Sequence, residues 1–147
     1  MDDYKAIDIL LVEDNPEDAE LTLRELRKTK TVIHILVVND GAEALDFFNA
    51  SGKYINRNID DVPKLVILDL KLPKVNGFEV LRIVKSNERT KPIPVVVLTS
   101  SLEESDTISS YKLGASSFIV KPLDFTKFST TVQELGMNWY TCDETPK

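Results

Sequence analysis

Six residues of the types that do chemistry together recur at the ends of short apolar runs. Glu13 and Asp14 follow DILLV, Asp69 follows LVIL, Thr99 and Ser100 follow VVVL, and Lys121 follows SFIV. Asp14 and Asp69 are 55 residues apart, Asp69 and Thr99 30, and Thr99 and Lys121 22. Each interval fits one or two strand–helix repeats. Alone, an Asp at a strand end is ordinarily a turn or helix cap, and a Thr or Lys there is an ordinary surface residue. The ordered set on four strand ends is what argues for a site. Three carboxylates held together repel one another, and one of them tends to keep its proton unless a cation intervenes. Mg²⁺ removes that conflict, since it takes a few carboxylates together with water and phosphate oxygens. Asp69 then stays ionised and can act as a nucleophile that accepts a phosphoryl group. Lys121 and the Thr99 hydroxyl are placed to neutralise and hydrogen-bond the transferred oxygens.

The elements that must position these residues are legible in the apolar pattern. Asp8–Val12, His34–Val38, Leu65–Leu68, Val95–Leu98 and Ser117–Val120 are short runs rich in Val, Ile and Leu. Such runs fit parallel strands covered on both faces. Five helices are predicted between and after them. The first opens with Asn15 as N-cap and Pro16 as first residue, carries Glu17 and Asp18 in its first turn, and has Ala19, Leu23 and Leu26 on its apolar face. The second follows Asp40-Gly41 and runs through Phe48, and the third follows Asn76-Gly77 with Val80, Leu81 and Val84 inward. The fourth opens at the capping-box pattern Ser101–Glu104 and stops at Gly114, and the fifth follows Asp124. Strict alternation predicts an α/β fold of (βα)5 type, an open doubly wound parallel sheet with helices on both faces. In such sheets ligands bind beyond the carboxyl ends of the strands, which is where the six residues stand. Residues 51–63 are expected to form an exposed loop.

Composition narrows the class. The 147 residues include 18 Lys and Arg against 24 Asp and Glu, a net charge of −6, with one His and one Cys. Apolar residues make up 42% and charged residues 29%, an ordinary globular balance for one domain. Cys142 alone closes no internal disulfide, so a reducing cytoplasm is the expected compartment. No apolar run reaches the ~18 residues of a membrane helix, and residues 1–8 lack a signal pattern. The acidic balance, without a basic stripe, argues against nucleic acid as a direct partner.

The segments LLVEDNPED, VILDLKLPKVNGFEVL, VVVLTSS and SSFIVKPLD strongly resemble the CheY-like receiver domain of two-component response regulators. The resemblance covers about residues 6–136. LPKVNG and the chain length are similar to the small receivers that partner bacterial phytochromes. It implies a flavodoxin-like sheet of order 2-1-3-4-5, with a receiver over 1–138, a tail over 139–147, and a stand-alone switch. Asp69 is then the phosphoacceptor, supplied by a sensor histidine kinase of phytochrome type. Asp14 is a direct Mg²⁺ ligand, Glu13 acts largely through water, and the Lys71 carbonyl is a further ligand. Thr99 is the switch hydroxyl and Lys121 the phosphate-binding cation, with a cis bond before Pro122. Phe118 is the aromatic whose rotamer follows phosphorylation; it lacks the hydroxyl of a Tyr. The face of the fourth helix, fifth strand and fifth helix is expected to meet a protein partner or a second copy, with Trp139 and Tyr140 as added apolar area or as a lid on the domain's own core. Only weak autophosphatase activity is implied, and Lys71, two residues after Asp69, is placed to influence it.

Other classes fit less well. A Mg²⁺-dependent phosphohydrolase with an aspartyl-phosphate intermediate carries a second Asp where this chain has Lys71. A flavin or nucleotide module lacks support from five glycines and no Gly-rich loop after the first strand. A receiver serving only as a scaffold conflicts with the complete acid, Thr and Lys set. His34 is expected as a satisfied core histidine, and the charges of Lys85–Lys91 as a solvated loop.

Overall fold

The computed structural model describes residues 7–28, 33–70, 77–99 and 112–136. The chain alternates β1 (Ile9–Val12), α1 (Pro16–Leu26), β2 (Ile35–Val38), α2 (Gly41–Asn49), a 3-10 turn (Gly52–Tyr54), β3 (Leu65–Asp69), α3 (Gly77–Ser86), β4 (Val95–Thr99), β5 (Ser117–Val120) and the C-terminal helix α4 (Phe125–Glu134). The strands form one sheet of order β2-β1-β3-β4-β5, and every pairing is parallel. Pairing runs Leu11↔Ile67 and Val12↔Leu68, then Asp69↔Leu98, then Thr99↔Val120. The strands therefore end together, and the residues that follow them share one rim.

Strand residues alternate between two cores, because successive side chains point to opposite faces. Leu10, Val12, Val66, Leu68, Val95 and Val97 pack with Ala44, Phe47 and Phe48 of α2 and Val80, Leu81 and Val84 of α3. Ile9, Leu11, Leu65, Ile67, Val96 and Leu98 pack with Ala19 and Leu26 of α1 and Phe128 and Val132 of α4. β1, β3 and β4 are buried throughout, whereas β2 and β5 are only partly so. Covering on both faces thus holds for the three inner strands; the two outer ones are only partly covered.

Capping follows the sequence. Asn15 Oδ1 accepts from the backbone N–H of Glu17 at 2.9 Å and of Asp18 at 3.1 Å. Asp40 and Asp124 cap α2 and α4 through Glu43 N and Lys127 N. The fourth predicted helix lies outside the described residues apart from its end, where Gly114 has φ +107°. In that left-handed region glycine is favoured because a side chain is strained there.

One expectation is overturned and two are refined. His34 is no core residue: it precedes β2, its side chain is 64% exposed, and Nδ1 lies 3.7 Å from Asp8 Oδ2. An apolar neighbourhood in sequence did not bury it, because β2 is an edge strand and begins one residue later. Segment 51–63 is exposed at most of its positions, as expected, but it is anchored by Tyr54 and Arg57, both buried. Arg57 donates to the carbonyls of Phe47 (2.6 Å) and Asp61 and lies over the Phe47 ring. The 85–91 segment is partly tied down: Lys85 Nζ donates to the carbonyls of Lys91 and Ile93, and Arg89 to that of Phe48.

Candidate functional site

β1 delivers Glu13 and Asp14 directly beyond its last residue, and β3 ends on Asp69 itself. Each of Glu13, Asp14 and Asp69 offers a carboxylate oxygen within 4.8 Å of the other two. Asp14 is exposed, whereas Glu13 and Asp69 are buried at 1% and 4% exposure. The inner acids are thus shielded from water while one outer acid faces it.

Lys121, immediately after β5, reaches across the sheet end into this group. Its Nζ donates to Asp69 Oδ2 at 2.9 Å and lies 3.2 Å from Glu13 Oε1. It also donates to Asp18 Oδ2 at 3.1 Å, in the first turn of α1. The Lys121–Pro122 peptide bond is cis. Asn15 ties the parts together, since its backbone N–H donates to Glu13 Oε2 at 3.2 Å while its side chain caps α1.

Burial pushes the Glu13 carboxyl up to about 7, the Asp69 charge adds to that, and Lys121 pulls in the opposite direction. Burial pushes the Lys121 ammonium down, but Asp69, Asp18 and Glu13 outweigh it and hold Lys121 well above the usual lysine range. The ammonium is therefore a permanent charge. Among the described residues it is a single cation set against Glu13, Asp14, Asp18 and Asp69.

A divalent ion fits this arrangement. Glu13 Oε1 is buried and accepts no hydrogen bond among the described residues, although Lys121 lies within ion-pair distance. All three clustered donors are hard carboxylate oxygens, the set that Mg²⁺ and Mn²⁺ take.

Thr99 is the last residue of β4 and is 5% exposed. Strand alternation puts it on the face shared with Val97, which pairs with Phe118 of β5. Phe118 is half-buried against the core under α2 and α3. Lys71, Ser100, Trp139, Tyr140 and Cys142 lie outside the described residues. Asp18 escaped the sequence reading as a site residue. Its signal was its position four residues after Asp14, on the helix turn nearest the strand ends; an acid there reads first as a complement to the helix dipole.

Residues 9–133 match the family model of the response regulator receiver domain. The chain belongs to that family. The receiver is 40% identical over 132 residues to response regulator Rcp1 of Synechocystis sp., spanning 89% of this chain and 87% of Rcp1. It is 51% identical to the solved bacteriophytochrome response regulator AtBRR, with TM-score 0.81, covering 90% of this chain and 94% of that one. The phosphorylated cyanobacterial phytochrome response regulator RcpA is 34% identical, with TM-score 0.76, over 96% of this chain and 98% of that one. The Mn²⁺-bound form of Rcp1 superposes with TM-score 0.74 at 37% identity, over 95% and 96% of the two chains. The receiver thus matches the phytochrome-associated subfamily, in line with the resemblance of its LPKVNG sequence. No described helix is long and apolar enough to cross a membrane.

Proposed function

We propose that this receiver accepts a phosphoryl group on Asp69 from the phosphohistidine of a sensor histidine kinase of phytochrome type, with Mg²⁺ held by Asp14, Asp69, the Lys71 carbonyl and, through water, Glu13. The observation that carries this reading is Asp69 itself: a strand-end carboxylate within 4.8 Å of two further acids and 2.9 Å from a lysine ammonium. The phosphorylated state of RcpA and the Mn²⁺ bound to Rcp1 support the same chemistry in relatives.

In the transfer, an Asp69 carboxylate oxygen attacks phosphorus as the bond from phosphorus to the donor nitrogen breaks, and the donor imidazole leaves with the electron pair. Lys121 turns its N–H groups toward the phosphoryl oxygens, a charge-assisted contact. The burial of Asp69, 4% exposed, limits access of bulk water to the acceptor. A bound divalent cation supplies neutralisation of the phosphoryl oxygens and keeps the carboxylates ionised. Thr99 moves toward the phosphoryl group and vacates space that Phe118 then fills. These contacts exist in only one state, so they shift an equilibrium between two conformers. The readout falls on the face of β5 and α4, where a cleft of about 490 Å³ is lined by Phe118, Val120, Lys127 and Thr130. A protein partner or a second copy reads the change there.

Incubation with acetyl phosphate and Mg²⁺, followed by intact mass measurement, tests the assignment. The wild type gains one phosphoryl group, while Asp69→Asn and chelator-treated protein gain none. Equal labelling of Asp69→Asn overturns it.

A further inference from the structure

The Lys121 ammonium has three N–H groups, and all three are directed at carboxylates: Asp69 Oδ2 at 2.9 Å, Asp18 Oδ2 at 3.1 Å and Glu13 Oε2 at 3.4 Å. None is left over for a phosphoryl oxygen, so one carboxylate must yield when the group arrives. Glu13 is fully buried and braced by the Asn15 N–H, and Asp69 carries the phosphoryl group itself. Asp18 is the outermost of the three, with a side chain 40% exposed against 6% for Asp69 and 0% for Glu13. Water can replace Lys121 at Asp18 at little cost, as it cannot at the buried acids. The capped turn of α1 fixes where Asp18 stands. Together with Lys121 it borders a cleft of about 320 Å³ between α1 and the segment after β5, also lined by Thr22 and Pro122.

We propose that Asp18 is a positioning residue of the phosphoryl-transfer site: it holds the Lys121 ammonium toward the mouth of the site in the unphosphorylated state and competes with the incoming phosphoryl oxygens for it. This rests on Asp69 being the phosphoacceptor. Asp18 thereby restrains phosphorylation, and its removal frees an N–H for the transferred group. With acetyl phosphate the step is balanced: an Asp69 oxygen bonds to phosphorus, the bond from phosphorus to the acetate oxygen breaks, and acetate leaves with the electron pair.

The test compares phosphorylation rates with acetyl phosphate and Mg²⁺, followed by intact mass, in the wild type, Asp18→Asn, Asp18→Glu and Glu17→Gln. Glu17→Gln removes the same charge from the same turn at a solvent-exposed position. Asp18→Asn is expected to be faster by about threefold, the scale of a partly exposed ion pair. Asp18→Glu should return toward the wild-type rate, and Glu17→Gln should stay near it. The Lys121 ammonium ¹⁵N resonance should move in Asp18→Asn and not in Glu17→Gln. An unchanged or slower Asp18→Asn rate overturns the proposal, as does an equal gain in Glu17→Gln, which would mean charge alone. If the wild type itself takes no phosphoryl group, the Asp69 assignment fails and this inference falls with it; a phosphorylated wild type with an indifferent Asp18→Asn sinks this inference alone.

Discussion

Single side chains in this receiver matter through shared partners. One ammonium serves Asp69, Asp18 and Glu13, so substituting any of these acids changes the surroundings of the others. A second such node lies away from the site. Tyr54 Oη donates to Glu43 Oε2 at 2.6 Å, Lys53 Nζ lies 3.0 Å from the same oxygen, and the Asn39 N–H donates to Oε1. Burial pushes the Glu43 carboxyl up, but these donors outweigh it and hold it below its ordinary value. A carboxylate with a depressed folded pKa contributes stability that is present above its unfolded pKa, 4.5, and lost as pH falls through the folded value. Tyr54→Phe is therefore expected to lose about 1 kcal/mol at neutral pH. The deficit against wild type should shrink in acid, below the depressed pKa. Urea unfolding at several pH values measures it, and a deficit constant from neutral to acid pH would count against the Glu43 contact as its source.

At the scale of elements, the site depends on how closely α3 approaches the end of β3. A Cβ at Gly77 would lie 2.5 Å from both the Asp69 carbonyl oxygen and Leu70 Cα, which are backbone atoms that cannot swing away. The Gly77 N–H donates to the Leu70 carbonyl at 3.0 Å, closing the same junction. Here the glycine is required by space, not by a positive φ. Gly77→Ala should cost about 1–3 kcal/mol, the range for overpacking, and should also slow phosphorylation because the strand end carrying Asp69 must shift. Denaturation and acetyl phosphate labelling of the same variant check both effects. Normal stability with normal labelling would show that the junction relaxes freely.

At the largest scale, the described residues form two cores divided by one sheet. The α2–α3 face holds Phe47 in edge contact with Phe48 and Tyr54 and beneath Arg57, whose guanidinium carbon is 3.9 Å from the Phe47 ring centroid. The opposite face packs α1 and α4 under the strand ends that bear Asp69 and Lys121. Phe47→Ala should destabilise the fold by about 3–5 kcal/mol, the usual cost of emptying a buried aromatic position. Phosphoryl acceptance per folded molecule should remain, because Phe47 lies on the face away from Asp69. Melting and labelling below the melting range separate the two. Loss of labelling in fully folded Phe47→Ala would show that the faces are coupled.

Element type and order were legible in the chain because buried parallel strands demand unbroken Val, Ile and Leu runs, and capped helices demand Asn15, Asp40 and Asp124 where they stand. The gathering of Glu13, Asp14, Asp69 and Lys121 at one rim was legible for a related reason: parallel strands in register end together, so the residues at their ends become neighbours. What depended on tertiary packing lay off the pattern. His34 is exposed although its neighbours are apolar, because edge position is a property of the sheet and not of the run. Arg57 and Tyr54 are buried within a polar loop because Phe47 and Glu43 of the preceding helix offer them partners. Asp18 looks like any acid in a first helical turn until folding sets it against Lys121, 103 residues away. Periodicity is local and can be read along the chain, whereas the choice of which carboxylate an ammonium meets is made only when separate elements close in space.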